Sequence, residues 1–326
     1  MYLDRSRRLF DWKRFVAAAL LLSIVVTAGC RSTSQSNNAN AVANVPMRQV
    51  TDDLGRTVLI PTKINRAISL APSLTENIFA VGAGDRLVGV TTFCNYPEEA
   101  KSIAKIGDTM NPNMESIIAL KPDVVFVSTA SQIETFTKTL EANGIAVYVT
   151  NPAGPVDVIR NLNDFGRLFG TDETAERLTN SLTERINAVT NNVGFVKNRK
   201  EDGFQNPFRP IKTFVQISKE PLFTIGKASF LNEWLYMAGA FSVTNNVETA
   251  YPKLSKETAV GLVPEVILLS DSEDNREPND ALKNSPAMKT GRVYKINADI
   301  ISRPGPRLVD ALEQIAKDLH PEKFPK

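Results

Sequence analysis

Residues 115–127 read ESIIALKPDVVFV, and residues 257–269 read ETAVGLVPEVILL. Laid over one another at a constant offset of 142 residues, four of the thirteen positions are identical: Glu115/Glu257, Leu120/Leu262, Pro122/Pro264 and Val124/Val266. Ser/Thr, Asp/Glu and branched apolar pairs keep their chemistry at others. In each copy a helix-type stretch stops at a proline, an acid follows, and then an unbroken apolar run begins. Such a run suits a strand buried on both faces of a parallel sheet. Used twice, the unit implies two similar α/β lobes. A helix–proline–strand join also arises by chance in any α/β chain, but the matched glutamates favour duplication. Each glutamate stands in the first turn of its helix, where the dipole favours a carboxylate. It is either a plain helix-start acid or one of two prongs, one per lobe, offered to a basic partner.

The flanks of the first copy fit a parallel sheet. Residues 49–61 form a hairpin around Asp53-Leu54-Gly55, and residues 66–70 a short strand. Ser73-Leu-Thr-Glu76 has capping-box spacing and opens a helix to Val81, closed by Gly82. A strand at 87–90, a helix near 132–143 and a strand at 146–149 complete the alternation. From Val156 to about Val193 the pattern is almost wholly helical, broken at Gly170-Thr171-Asp172. Leu178, Leu182, Ile186 and Val189 give that stretch one apolar face, as a connector or a lid would need. Residues 197–210 are a polar loop. Strands at 213–216, 264–269 and 292–296 and helices at 230–238, 256–262 and 306–319 follow.

The first thirty residues read as an address. Arg5, Arg7, Arg8, Lys13 and Arg14 precede an uncharged run from Phe15 to Gly29, too short to cross a bilayer comfortably, where ~20 apolar residues are needed. Thr27-Ala28-Gly29-Cys30 looks like a bacterial lipobox, in which Cys30 takes the lipid and becomes the new N-terminus. Ser6-Arg7-Arg8-Leu9-Phe10 carries a weaker likeness to a twin-arginine export signal. Residues 31–46, RSTSQSNNANAVANVP, are too polar and simple to bury themselves and read as a tether.

The whole chain has 326 residues, enough for about two domains. It carries 38 Lys+Arg against 36 Asp+Glu, a formal +2. Residues 1–29 hold five of the basic and two of the acidic residues, so the remainder has 33 against 34, or −1. That balance excludes a protein living on nucleic-acid phosphates. One histidine, His320, excludes a His-cluster metal centre, and two cysteines exclude a disulfide scaffold or thiolate cage. The sequence has no G-x-S-x-G, P-loop or H-E-x-x-H motif and no central histidine, so the expectation is no enzyme, no catalytic residues and no resident metal. A lipid-anchored enzyme on this scaffold is the outlying alternative. Cys94 reads as a small buried hydrophobe or as a lone thiolate ligand.

The lipobox, the hairpin, residues 66–76 (RAISLAPSLTE), residues 82–90 (GAGDRLVGV), Tyr96-Pro97 and both copies of the repeat resemble the solute-binding proteins of ABC importers for cobalamin and ferric siderophores. Phe223-Thr-Ile-Gly226-Lys extends the likeness, which covers about residues 48–320 and is strongest toward the cobalamin branch. The resemblance implies a class III periplasmic binding protein: two Rossmann-like α/β lobes with parallel sheets, joined by one long helix, with little hinge motion. The expected organisation is a signal peptide (1–29), a tether (30–47), an N-terminal lobe (48–155), a connecting helical segment (156–196) and a C-terminal lobe (197–326). Ligand would sit between the lobes, delivered to a permease and its ATPase subunits by an extracytoplasmic, lipid-anchored monomer. Glu115 and Glu257 match the permease-docking positions. Phe93, Tyr96, Phe223, Tyr251 and Asp299 match ligand-facing positions. Thr109 departs from the pattern, standing where a cobalamin binder carries a large aromatic. Arg303 suits an acidic siderophore or a turn cap. The implied cargo is cobalamin, with a ferric siderophore or haem as alternative, and no prosthetic group. Aromatic faces plus a few polar groups suit such a flat chelate.

Overall fold

The computed structural model describes residues 45–129, 133–194 and 209–325, with side chains of 133–136 excepted. The signal and lipobox assignments, including Cys30, lie outside the described residues.

The chain starts with an antiparallel hairpin, β1 (Met47–Thr51) and β2 (Thr57–Pro61). Its turn is held by Asp52, whose carboxylate accepts from the Leu54 and Arg56 amides. The neighbouring Asp53 turns inward instead, accepting from the Asn151 amide, Arg160 and Asn161. A first parallel sheet follows, made of β3 (Ala67–Ser69), β4 (Leu87–Val90), β5 (Val124–Ser128) and β6 (Ala146–Thr150), in the order β4-β3-β5-β6. Helices α1 (Pro72–Ala80), α2 (Met114–Ala119) and α3 (Ile133–Ala142) connect the strands.

The second sheet repeats this plan. Its strands β7 (Ile211–Ser218), β9 (Ala240–Ser242), β10 (Val266–Asp271) and β11 (Val293–Asn297) are parallel in the order β9-β7-β10-β11, with the short β8 (Phe223–Thr224) added antiparallel to β7. Helices α6 (Leu231–Met237), α7 (Lys256–Val260), α8 (Pro286–Thr290), α9 (Ala298–Ile301) and α10 (Leu308–Leu319) complete it.

The 142-residue repeat is visible at the level of single hydrogen bonds. Asn113 caps α2 by accepting from the Ser116 amide, and Ser255 caps α7 by accepting from the Thr258 amide. Asp123 then clasps the start of β3 through the Asn65 and Arg66 amides, and Glu265 clasps the start of β7 through the Lys212 amide. Side chains alternate in step as well. Val124 and Phe126 on β5, and Val266 and Leu268 on β10, enter one core that runs through both lobes. Val125 and Val127 enter a separate core of the first lobe, and Ile267 and Leu269 its counterpart in the second.

Between the sheets the helical stretch divides at Gly170, which takes φ 71° in the left-handed region and ends α4 (Pro155–Phe169). The longer α5 (Asp172–Val193) then crosses from lobe to lobe. Its buried stripe is Ala175, Thr179, Leu182, Ile186, Val189 and Val193, with Leu178 half-buried at its edge. Thr179 bonds Asn163 on α4, while Arg185 pairs with Asp310 and Glu313 on α10. Phe165 and Phe169 of α4 meet Phe126 with ring centroids 5.2 and 5.6 Å apart, fixing that helix on the first sheet.

The capping-box expectation at Ser73 fails. Helix α1 begins two residues earlier, at Pro72, with Ala71 at the cap and no side-chain cap bond. Proline's fixed φ already suits the first helical position. Glu76 is thereby released from the helix start.

Candidate functional site

Parallel sheets place all their carboxyl ends on one side, and ligands of open α/β sheets bind there. Here both sheets turn those ends toward one cleft of about 850 Å³. The first lobe lines it with Ala71 to Ser73 after β3, Phe93 after β4, Ser128 and Thr129 at the end of β5, and Asn151 after β6. The second lobe contributes Ala228, Phe230, Tyr251 and, after β11, Asp299, Ser302 and Arg303.

Four of the expected ligand residues therefore meet in one place: Phe93, Tyr251, Asp299 and Arg303. Phe93 is 60% exposed and Tyr251 44%, large apolar surfaces that no core contact has claimed. Burial of the Tyr251 hydroxyl pushes its pKa up, partly offset by a hydrogen bond with Ser229, so it stays a neutral phenol. Thr109 also lines the cleft. Two expected residues are elsewhere. Tyr96 lines a separate recess of about 340 Å³ beside Phe79, Pro97 and Pro306. The Arg307 guanidinium lies 4.1 Å from the centre of its ring, a cation–π contact. Phe223 is half-buried in β8, paired across to Lys253, and is not among the cleft-lining residues.

Below the cleft floor a charged network joins the lobes. Glu76 is 4% exposed and accepts from Arg303 Nη1 at 2.8 Å and from both Nε and Nη2 of Arg307. Arg303 Nη1 also donates to Asn95 Oδ1 at 2.8 Å, and Nη2 to Asp299 Oδ1 at 2.6 Å. Asn95 Nδ2 closes the ring on Asp299 Oδ2 at 2.9 Å. Burial opposes the charge on Arg307, but the Glu76 hydrogen bonds and charge outweigh it and raise its pKa. Asp299 is fixed by a one-turn helix whose cap, Asn297, accepts from the Asp299 and Ile300 amides. The lobes also touch at Gly154, the residue capping α4, where the Glu233 carboxylate of α6 lies in the space a Cβ would take and would have to move aside for one.

Sequence reading missed Glu76, Asn95 and Arg307. Glu76 was absorbed into the capping box, and nothing local to Asn95 marks it. Arg303 and Arg307 stand four apart around Pro304-Gly305-Pro306, which was a usable signal for a paired cationic clamp. Cys94 is buried and its sulfur lies 3.1 Å from Thr75 Oγ1 and 3.2 Å from Thr91 Oγ1, hydroxyls rather than ligands.

Glu115 and Glu257 are both exposed on the second residue of their helices. Each helix returns the chain to the start of the next parallel strand. Its first turn therefore lies on the side where strands end, the side of the cleft. At Glu257 local backbone and Ser255 hydrogen bonds hold the pKa down, so it is ionised.

Comparison with known proteins extends these observations. A family profile described as periplasmic binding protein matches residues 68–300. The chain is 31% identical over 315 residues to YvrC of Bacillus subtilis (strain 168), an uncharacterised ABC transporter substrate-binding lipoprotein, covering 94% of this chain and 97% of that one. The crystal structure of BtuF, a periplasmic vitamin B12 binding protein of Vibrio cholerae, superposes with a TM-score of 0.68 at 25% identity, covering 81% of this chain and 100% of that one. The haem-binding protein RhuT of Roseiflexus sp. RS-1 shares the fold, with a TM-score of 0.66 at 20% identity over 79% of this chain and 99% of that one.

Proposed function

From the premise that this chain belongs to the periplasmic binding protein family, solute-binding proteins of ABC importers rather than enzymes, we propose that it captures a corrinoid outside the cytoplasm. The cleft between the two sheets is where it would do so. The observation that carries the reading is that cleft: about 850 Å³, with Phe93 and Tyr251 exposed from opposite lobes above a hydroxyl- and amide-bearing floor. A flat metal macrocycle needs apolar faces to cover its ring and a few fixed polar groups to orient its edges. A ferric siderophore or haem is the second reading. It is favoured by Thr109, which leaves one wall without a large aromatic side chain.

Transfer to the importer would run through Glu115 and Glu257, one per lobe, as charge-assisted contacts to basic groups of the permease. Cys30 would carry a lipid that holds the protein at the membrane surface, with residues 31–46 as tether. In this reading residues 48–155 and 197–326 are the two lobes and the segment 156–196, which contains α5, connects them.

Trp234, buried in the core behind the cleft wall, offers a nearby optical probe. It stands one helical turn beyond Phe230, which lines the cleft, and is the only tryptophan after Trp12. Titration with cobalamin, cobinamide, a ferric hydroxamate and haem, following Trp234 emission and the ligand's visible spectrum, should show a corrinoid binding with Kd below about 1 μM, roughly −8 kcal/mol. Corrinoid binding weaker than that, with tighter binding of another chelate, would replace cobalamin by that chelate.

A further inference from the structure

We infer that the cleft selects its cargo by charge. It accepts a chelate whose edge presents neutral amide or other N–H donors, and turns away chelates edged with carboxylate or catecholate oxygens. The inference rests on the reading of this cleft as the ligand site.

Among the described residues that line the cleft, only Asp299 and Arg303 carry a formal charge. Four of the five N–H donors of Arg303 are committed within the protein, leaving little capacity for an anion. Its Nη1 donates to Glu76 and Asn95, and its Nη2 to Asp299 and, at 3.5 Å, to the Phe93 carbonyl. All four terminal N–H donors of the guanidinium are thereby directed into the protein. Its side chain is only 9% exposed.

Asp299 is the opposite case. Its side chain is 41% exposed, and each oxygen accepts one bond, from Arg303 and from Asn95. A carboxylate has about four lone-pair sites, so acceptor capacity remains on the cleft side.

The four charged groups of the network, Glu76, Asp299, Arg303 and Arg307, sum to zero, but their arrangement is polar. Arg307 faces the neighbouring recess rather than the cleft, and Asp299 faces the cleft. An anion entering the cleft thus meets the negative end of a neutral cluster, with its cations already bonded. The remaining polar lining, the hydroxyls of Ser73, Thr109, Ser128, Thr129, Tyr251 and Ser302 and the amide of Asn151, is neutral and supplies no counter-charge. An amide-edged ligand satisfies Asp299, whereas a carboxylate-edged one leaves two like charges together.

Two matched pairs test the rule. Cobinamide and cobyrinic acid share ring and metal but carry amides and carboxylates respectively. A neutral ferric trihydroxamate and an anionic ferric tricatecholate form the second pair. Kd values should be measured by calorimetry on the intact folded chain and on Asp299→Asn. The amide corrinoid should bind at least about tenfold tighter than the acid, the worth of a charged hydrogen bond. Asp299→Asn should weaken the amide ligand and strengthen the acid, moving the two in opposite directions. A general loss of folding would weaken both. If neither corrinoid binds but the neutral ferric chelate outcompetes the anionic one, the corrinoid reading falls and the charge rule stands. Equal or tighter binding of the anionic member in either pair overturns the rule, as does an Asp299→Asn change that shifts both members of a pair alike.

Discussion

Removing the Glu76 carboxylate leaves Arg303 and Arg307 facing each other in a buried place with their shared counter-charge gone. Breaking one member of a buried ion network costs about 3–5 kcal/mol, because the stranded charge is left unsolvated. Glu76→Ala should therefore lower the stability of unfolding by that order, measured by urea denaturation, and an unchanged midpoint would show that the network contributes little. His320 makes a second prediction. Burial first, then Lys323, pushes its pKa below the usual 6.5, against a smaller opposing effect from Glu322. The unfolded chain thus binds more protons than the folded one in the window below 6.5, and stability is lost as pH falls through it. Replacing His320 by Gln should flatten that acid limb in denaturation curves recorded between about pH 5 and 7. Single residues were the least legible part of the sequence. Phe93, Tyr251 and Asp299 are identifiable by family likeness and Arg303 by its charge beside a proline-rich turn, and the four line the same cleft. Glu76 was not, because its partners lie 227 and 231 positions away and no local pattern encodes that distance. Tyr96 and Phe223 show the limit of carrying positions across: neighbouring loops fold so that one ring packs on Arg307 and the other joins a strand edge.

At the scale of elements, the pair α2 and α7 offers a controlled experiment. Asn113 and Ser255 make the same cap bond at equivalent steps of the two lobes. Truncating a cap of this type costs about 1 kcal/mol. Asn113→Ala and Ser255→Ala should each lower stability by about that amount and add in the double variant, as distant sites do. Marked non-additivity in equilibrium unfolding would indicate that the two helices communicate. Elements were the most legible level. Apolar runs such as 124–127 and proline stops such as Pro122 and Pro264 act locally, so their signals survive in the sequence. The short pieces were missed for the converse reason. Strands β8 and β9 and helices α8 and α9 have two to five residues each and form because neighbours hold them, not because their own composition demands it. The helix start at Pro72 rather than after Ser73 is the same lesson: two adequate local signals overlapped, and proline's covalent constraint decided.

For the molecule as a whole, the two lobes share one apolar core, one long helix and one buried charge network, which together oppose a wide hinge motion. The proposed docking pair Glu115 and Glu257 belongs to this scale, since the proposal needs one glutamate from each lobe. Charge reversal at both, Glu115→Arg with Glu257→Arg, should leave ligand affinity within about twofold, as expected of exposed residues that do not line the cleft. Uptake in cells should be abolished. Loss of ligand affinity in the purified double variant would show that the pair serves the cleft instead of a partner. Duplication was legible as a 142-residue offset, and the sheet order β4-β3-β5-β6 repeated as β9-β7-β10-β11 agrees with it. The cleft volume and the inward commitment of Arg303 were not legible, since both depend on how the lobes meet. One consequence concerns inheritance. Every cleft-lining side chain sits at a strand's last residue or on the segment after it, while the strand interiors form the cores. Apart from Ala71, which also belongs to the core, and Asp299 and Arg303, which also belong to the buried charge network, mutations can therefore rewrite what the cleft holds without touching what makes the chain fold. A chain built this way can take on a new cargo at its strand ends while its strand interiors stay as they are.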